Sequence, residues 1–594
     1  MAIIDLLAPP ALDFEPYTLT LGDVRAEALV ITDYPPRVGQ AWLARLAALP
    51  GVSLAVHAEQ SDTAGLLRAL QNSIQEYSSR IAQGGKALVM SRWEQSLGDA
   101  QALLKQIDQE SQKVFRVAVV LLVVGADQEE LAQRVRQVEA ACAGASMRVR
   151  PAVFQQEGGL RAAGPWGLLP QGIADLAVRE MPAATVAAMY PWVSTGLNHG
   201  RGIILGRDEG GGIVLVDRRD PPDGSGITNP NLNVLGTSGG GKSYAAKTLL
   251  LREFALGARV LVLDPEREYR GLAKALGGNI VDCGGGRGII NPLQVRGEDS
   301  DPDDDGAARG SRGPLASHLR RLRTFCALYL PGLDDAERAV LQDALLAAYS
   351  GKGVTWRTDP ETVTTWPTIA DVHAGLPADS RLALLLRDAA TGADSALWAG
   401  QTTVPPASDF TVFDLHSLTD AADNVRRAQY FNVLCYAWDL VREGRATRRP
   451  TLLVVDEAWL LADPQTPEAL GFLRDMSKRI RKYVQPATEA ERAVWPPADG
   501  GLMIVTQNMV DFLAPELARL GEPVIGNAST KLLMRQESKD LEALRGLLRL
   551  TEAECDLLSG ARRGEGLLLA GNQHIWLRIE AAAHEADLIA AATA

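Results

Sequence analysis

Three observations predict an α/β protein with an α+β unit ahead of it and a helical insert within it. From about residue 182 onward, short apolar runs with strand character alternate with helically spaced segments. That alternation is broken once, over 301–395, by stretches that read as helix alone. Residues 1–181 mix strands with two long amphipathic helices. The expected divisions are therefore an N-terminal α+β domain (1–181), the first part of an α/β domain (182–300), an all-α insertion (301–395) and the second part of the α/β domain (396–594). A chain of 594 residues is too long for one hydrophobic core, which fits such a division.

Composition narrows the class. The chain is 46% hydrophobic and 22% charged, ordinary for a soluble globular protein. The net charge of −13 excludes a strongly basic nucleic-acid footprint overall and leaves room only for a local basic channel. Five scattered cysteines, Cys142, Cys283, Cys326, Cys435 and Cys555, share no metal-like spacing and point to a reducing compartment. The opening "MAIIDLLAPPALDFEPY" lacks the basic start of a signal peptide. The most apolar run, Val117 to Ala126, is about half the length of a bilayer-spanning helix, and its valines predict a buried strand. The expectation is a soluble chain with no direct membrane span.

In the N-terminal unit, "DTAGLLRALQNSIQEYSSRIAQGG" and "MSRWEQSLGDAQALLKQIDQESQ" give the two long helices. The valine-rich strand, a helix in "DQEELAQRVRQVEAACAGA" and the strand "MRVRPAV" follow. None of these carries a catalytic constellation, so packing or docking is the expected role. "RGIILGRDE" and "GGIVLVDRR" are short strands leading into the α/β domain. "RGEDSDPDDDGAARGSRG" lacks the ligand spacing and terminal Glu of a calcium loop and reads as a solvated acidic loop. The helical insert follows it.

The chemistry is concentrated around "NPNLNVLGTSGGGKSYAAKTLLL". Gly236, Thr237, Ser238, Gly239, Gly240, Gly241, Lys242 and Ser243 fit G-x-x-x-x-G-K-[ST], preceded by an apolar strand and followed by a helix. The glycines allow positive φ and leave the main-chain N–H groups, up to Tyr244, free to converge on phosphate oxygens. Lys242 is expected between β- and γ-phosphates, and Ser243 on Mg²⁺. "TLLVVDEAWLL" is an apolar strand ending in two carboxylates: Asp456 is expected to hold Mg²⁺ through water, and Glu457 to orient and deprotonate the attacking water. "GLMIVTQN" ends in Gln507, which can hydrogen-bond that water or the γ-phosphate. "ARVLVLDPEREY" is a further strand, and its end at Asp264 is a place where such folds carry functional groups. "SKRIRKYVQ" places Lys478, Arg479, Arg481 and Lys482 on one helix end, where one can act as an arginine finger.

"NPNLNVLGTSGGGKSYAAK", "LDPEREY", "INPL", "VVDEAWLL", "TQNMVDF" and "IGNASTKLLMRQ" occur in the order and approximate spacing of the large VirB-type ATPases of type IV secretion, the fourth component of that series. The chain resembles that family clearly from about Tyr190 to Glu585. The resemblance implies a RecA-like P-loop ATPase domain, ATP and Mg²⁺ as cofactors, and homo-hexameric rings. It also implies kinship with the FtsK and HerA DNA translocases, inner-membrane secretion components as partners, and contact with DNA as an option. By position, Arg481 matches the family's Arg-Lys after the acid pair and is the implied finger acting on a neighbouring subunit, with Arg535 as fallback. This sequence departs from the pattern after Lys482, where the usual glycine is absent and "VQPATEAERAVWPPADG" is inserted. The implied function is a cytoplasmic ATP-hydrolysing motor at the inner face of the cell membrane, energising pilus assembly or substrate transfer. Two alternatives are a DNA-translocating ring and a mainly structural, nucleotide-dependent ring.

Overall fold

A computed structural model of the chain describes residues 11–35, 38–61, 63–84, 87–109, 113–191, 196–286, 288–296, 313–404, 408–444, 450–480, 500–507 and 509–590. The chain divides into two compact units: 1–196 with 210–212, and 197–209 with 213–594.

The first unit is built on an antiparallel sheet of β1 (Leu12–Phe14), β2 (Leu19–Leu21), β3 (Val24–Asp33), β4 (Val52–Gln60), β5 (Val114–Gly125), β6 (Arg148–Pro151) and β7 (Arg179–Pro182). The valine-rich run is indeed strand, β5, paired along its length with β3 and β4. Its odd residues Val117, Val119, Leu121 and Val123 pack beneath the helix Gln128–Gly144. Its even residues Ala118 and Val120 pack beneath Gln156–Ala163 and Gln171–Ala177. Burial on both faces explains a run with no polar alternation. Asp127 caps Gln128–Gly144 by accepting the Glu130 N–H at 2.8 Å. The long helices Thr63–Gln83 and Ala87–Gln109 pack on each other.

The second unit holds an eleven-stranded sheet made of β8 (Ile203–Asp208), β9 (Ile213–Val216), β10 (Leu232–Leu235), β11 (Arg259–Asp264), β12 (Asn279–Asp282), β13 (Phe410–Asp414), β14 (Thr451–Asp456), β15 (Gly501–Thr506), β16 (Thr530–Leu533), β17 (Glu565–Ala570) and β18 (Gln573–Ile579). Its order is β12-β13-β11-β14-β15-β10-β16-β17-β18-β8-β9. The first seven in that order run parallel, and the rest form an antiparallel extension. This is the α/β, RecA-like arrangement that the sequence predicts, with a strand lodged between the glycine-loop strand β10 and the acid-pair strand β14.

Alternation along the strands sorts the core. Val260, Val262, Leu452, Val454, Phe410 and Val412 face the helix Lys242–Ala255. Their neighbours Leu261, Leu263, Leu453, Val455 and Phe413 face the opposite way, into a cluster that also contains the insert. The insert helices span Pro314–Tyr329, Asp335–Gly351, Ile369–Ala374, Arg381–Ala390 and Ser395–Trp398. They are not a separate module, because they share one continuous core with the sheet. Trp398 sits at that junction, edge-on to Phe325 and Tyr329, with centroids 5.1 and 4.8 Å away. Its Nε1 donates to Gln429 Oε1 at 2.7 Å, and Gln429 Nε2 donates to the Cys283 carbonyl at 2.7 Å. Trp398→Ala should remove this keystone at a cost of about 3–5 kcal/mol, read as a lower denaturant midpoint for the second unit. An unchanged midpoint would show that the insert is not stabilised through this residue.

Candidate active site

Because seven strands run parallel, their C-terminal ends meet along one edge, and side chains from distant parts of the sequence converge there. β10 ends at Leu235 and turns into the glycine loop. The loop is pinned on both flanks: Gly236 N–H donates to the Thr506 carbonyl at 3.4 Å, and Thr237 N–H to the Arg535 carbonyl at 2.9 Å. Gly239 and Gly241 take φ of +75° and +100°. A Cβ on Gly241 would sit 2.8 Å from Gly564 N, so the turn excludes any other residue both by conformation and by space.

Gly241 caps the helix Lys242–Ala255. The N–H groups of that first turn lack intrahelical acceptors and form an anion-binding end. Lys242 is buried, and its Nζ donates to the Thr237 carbonyl at 2.9 Å, which curls the side chain over the loop. Burial lowers its pKa, opposed by the charges of Glu457, Asp456 and Glu268. Ser243 is half-buried in the same turn. The Tyr244 ring packs into the core and its hydroxyl accepts the Ala581 N–H at 2.9 Å, so only its main chain is available to a ligand.

Asp456 and Glu457, at the end of β14, are both buried. Burial, followed by the neighbouring carboxylates Glu457, Glu268 and Asp264, pushes Asp456 well above the usual carboxylate range. Glu457 is one of few non-glycine residues with positive φ, +50°. That strained turn is fixed by Glu457 N–H donating to Asp456 Oδ1 at 2.9 Å, and by Leu460 N–H donating to the Glu457 carbonyl at 3.0 Å. Trp459 Nε1 donates to Glu457 Oε2, and the Tyr430 hydroxyl donates to the Asp456 carbonyl. Burial raises the Glu457 pKa, while the Trp459 hydrogen bond and the Lys242 charge oppose it. Gln507 stands half-buried just beyond β15, on the strand lodged between the loop and the acid pair.

The structure thus brings together Gly236 to Tyr244, Asp456, Glu457 and Gln507. Arg481 lies outside the described residues. Arg535 is exposed beside the glycine loop of its own chain: its Cβ would be 3.5 Å from a Cβ on Gly240. Arg563 flanks the loop's other side, its Cγ 3.5 Å from the same kind of position on Gly241.

Around the site, the sequence singled out Asp264 as a strand end without giving it a role, and it did not assign Arg267, Glu268 or Arg270. After β11, Asp264 accepts the N–H groups of Glu268 and Tyr269 at 2.8 and 2.9 Å, and burial raises its pKa to about 6. Arg267 takes φ of +58° and pairs with Asp414 at 2.9 Å; Arg270 pairs with the same carboxylate at 3.4 Å. The charge of Glu268, in this locked loop, acts on both Lys242 and Asp456. The available signal was "LDPEREY" itself, which holds more charge than a strand exit needs. The "NAS" stretch, by contrast, lies away from the phosphate loop. Asn229 Nδ2 donates to the Asn527 carbonyl at 2.8 Å and to Ser529 Oγ at 2.9 Å, and Asn527 Nδ2 donates to Ser477 Oγ at 3.1 Å.

Residues 226–304 match the family model for the central domain of helicase HerA. The solved structure of VirB4 from Thermoanaerobacter pseudethanolicus is 48% identical, and the alignment covers 66% of this chain and 99% of that one with a TM-score of 0.59. Protein TraC of Escherichia coli (strain K12) is 24% identical over 333 residues, 53% of this chain and 33% of TraC; the chain spans only a third of that relative's length.

Gly241→Ala should weaken binding of a fluorescent ATP analogue by roughly tenfold or more, since left-handed strain costs about 1–3 kcal/mol before the Gly564 clash is added. Native affinity in this variant would show that the observed turn is not needed for binding.

Proposed function

The chain belongs to the VirB4 family of conjugation and type IV secretion ATPases, and from that premise we propose that it hydrolyses ATP to drive such a machine. The observation that carries the reading is the convergence of the glycine loop, Lys242, Asp456 and Glu457 at one sheet edge. In this reading the loop N–H groups cradle the phosphates, and Lys242 exchanges the Thr237 carbonyl for phosphoryl oxygens. Glu457, aimed by Trp459, accepts the proton of the attacking water, and Gln507 orients that water.

The donor set suits Mg²⁺. Asp456 and Ser243 offer hard oxygens, and among the described residues no group of three or more His, Cys, Asp or Glu could hold a metal by itself. That fits an ion shared with nucleotide phosphates, which when bound neutralises charge developing on the transferring phosphoryl group. Arg481, supplied in trans within a homo-hexamer, is the proposed finger, and Arg535 and Arg563 serve the site of their own chain. We further propose that the first unit docks the motor to inner-membrane components. Among the described residues no helix is long and apolar enough to cross a membrane. DNA contact is left as an option that stimulation of hydrolysis by added DNA would reveal.

Lys242→Ala should lose both binding and hydrolysis, Glu457→Gln should keep binding and stop turnover, and Arg481→Ala should keep binding while losing about 10³-fold of rate. Steady-state phosphate release alongside nucleotide binding separates the three. Normal turnover by Glu457→Gln would remove that residue as the base. A chain beginning at Leu197 should still bind nucleotide but no longer sediment with membranes containing the partner components. Undiminished sedimentation would place docking in the second unit.

A further inference from the structure

The parallel registers align four aspartates. Asp282 pairs across to Asp414, and Asp414 to Asp264. Asp456 lies one residue past Val455, which pairs with Leu263, the residue before Asp264. Four adjacent strands therefore each end in a carboxylate at the same level, and adjacent strands lie only about 4.8 Å apart. By alternation all four project toward the helix Lys242–Ala255. Like charges so placed repel strongly in a buried setting.

Each member of the row has its own compensation. Asp282 accepts the Gly284 N–H at 3.0 Å, Asp414 binds Arg267 and Arg270, and Asp264 takes two main-chain N–H groups. Asp456, which the reading above places on Mg²⁺, accepts the N–H of its neighbour Glu457 at 2.9 Å. A buried cation lies on the helix side of this row, and the charges of Glu268, Asp264 and Asp456 act on it. Lys247, one turn past Lys242 on the same helix, is only 2% exposed, and its Nζ lies over the Tyr269 ring, 5.9 Å from the centroid. A lysine that only filled space in this core would be out of place, since burying an ammonium is costly and Leu or Met fills such volume without that cost.

We propose that Lys247 is a positioning residue of the nucleotide site: its buried ammonium is the fixed counter-charge that holds Asp456 and the 264–269 loop in the arrangement that receives Mg²⁺ with a nucleotide. Lys247 need not touch the nucleotide, because Lys242 occupies that role one turn earlier. The inference rests on the ATPase reading above and extends it to a second lysine, acting through Asp456 and Glu268.

The test is calorimetric titration of the full chain with ADP, in Mg²⁺ and in EDTA, after thermal melting of each variant. The native chain should bind more tightly with Mg²⁺. Lys247→Met should bind ADP in EDTA within about twofold of native but lose at least tenfold of the Mg²⁺ enhancement. Lys247→Arg should recover most of that loss, as should Glu268→Gln added to Lys247→Met, because it removes one of the charges left unbalanced. Three outcomes overturn the proposal. These are a native Mg²⁺ enhancement in Lys247→Met, an equal loss of affinity with and without Mg²⁺, and the lack of a native-like melt, which would make Lys247 a folding residue. A native chain that binds no nucleotide in either condition brings down the ATPase reading and this inference with it.

Discussion

Strand parity in the parallel sheet is the constraint on which the rest depends. Side chains alternate faces every residue, so registering Asp264 with Asp414, and Leu263 with Val455, decides at once which residues meet the glycine-loop helix and which meet the insert. A slip of one position in any of these strands would turn its terminal carboxylate into the insert's apolar core and bring Leu263, Phe413 or Val455 to the phosphate edge. The hydrophobic sorting of Val260, Val262, Leu452 and Val454 against Leu261, Leu263, Leu453 and Val455 therefore stabilises the fold and also aims the chemistry.

Burial then sets the electrical character of the site. Lys242, Lys247, Asp456, Glu457 and Asp264 are all withdrawn from water, where each charge is expensive unless another answers it. The site answers internally, with lysines from one helix facing acids from adjacent strand ends and main-chain N–H groups supplying the remainder. Glu457 in its left-handed turn is the local exception to relaxed geometry, held by Trp459 and the 3₁₀ turn that follows. Such strain persists where the surroundings over-determine it, and it clusters at functional sites.

Much of this was legible in the sequence. The glycine loop and the "VVDEA" strand declare themselves because they combine an apolar run with residue types that have few other uses at a strand end. The α/β class, the helical insert and the strand in Val117–Ala126 follow from periodicity and length. Less visible were contacts that depend on register. Nothing local to Lys247 says that its ammonium lies over the Tyr269 ring, because only the fold brings the helix against the end of β11. Tyr430 and Trp459 look like core aromatics until their polar ends are placed. The Tyr244 side chain, next to the loop in sequence, turns away to Ala581. The "NAS" stretch carries family character without touching the phosphate loop, since its amides and hydroxyls are spent on Asn229 and Ser477.

Asn231, at the entry to β10, holds two distant points at once: its Nδ2 donates to the Ser477 carbonyl at 2.9 Å and its Oδ1 accepts the Leu502 N–H at 3.1 Å. Those points flank the place where this sequence departs from the family pattern. One amide thus ties the helix Pro467–Arg479 to the start of β15. The frame of β15 is therefore set by this amide and not by the number of residues between the two points, and joining two held ends through a longer chain costs closure entropy that grows only slowly with length.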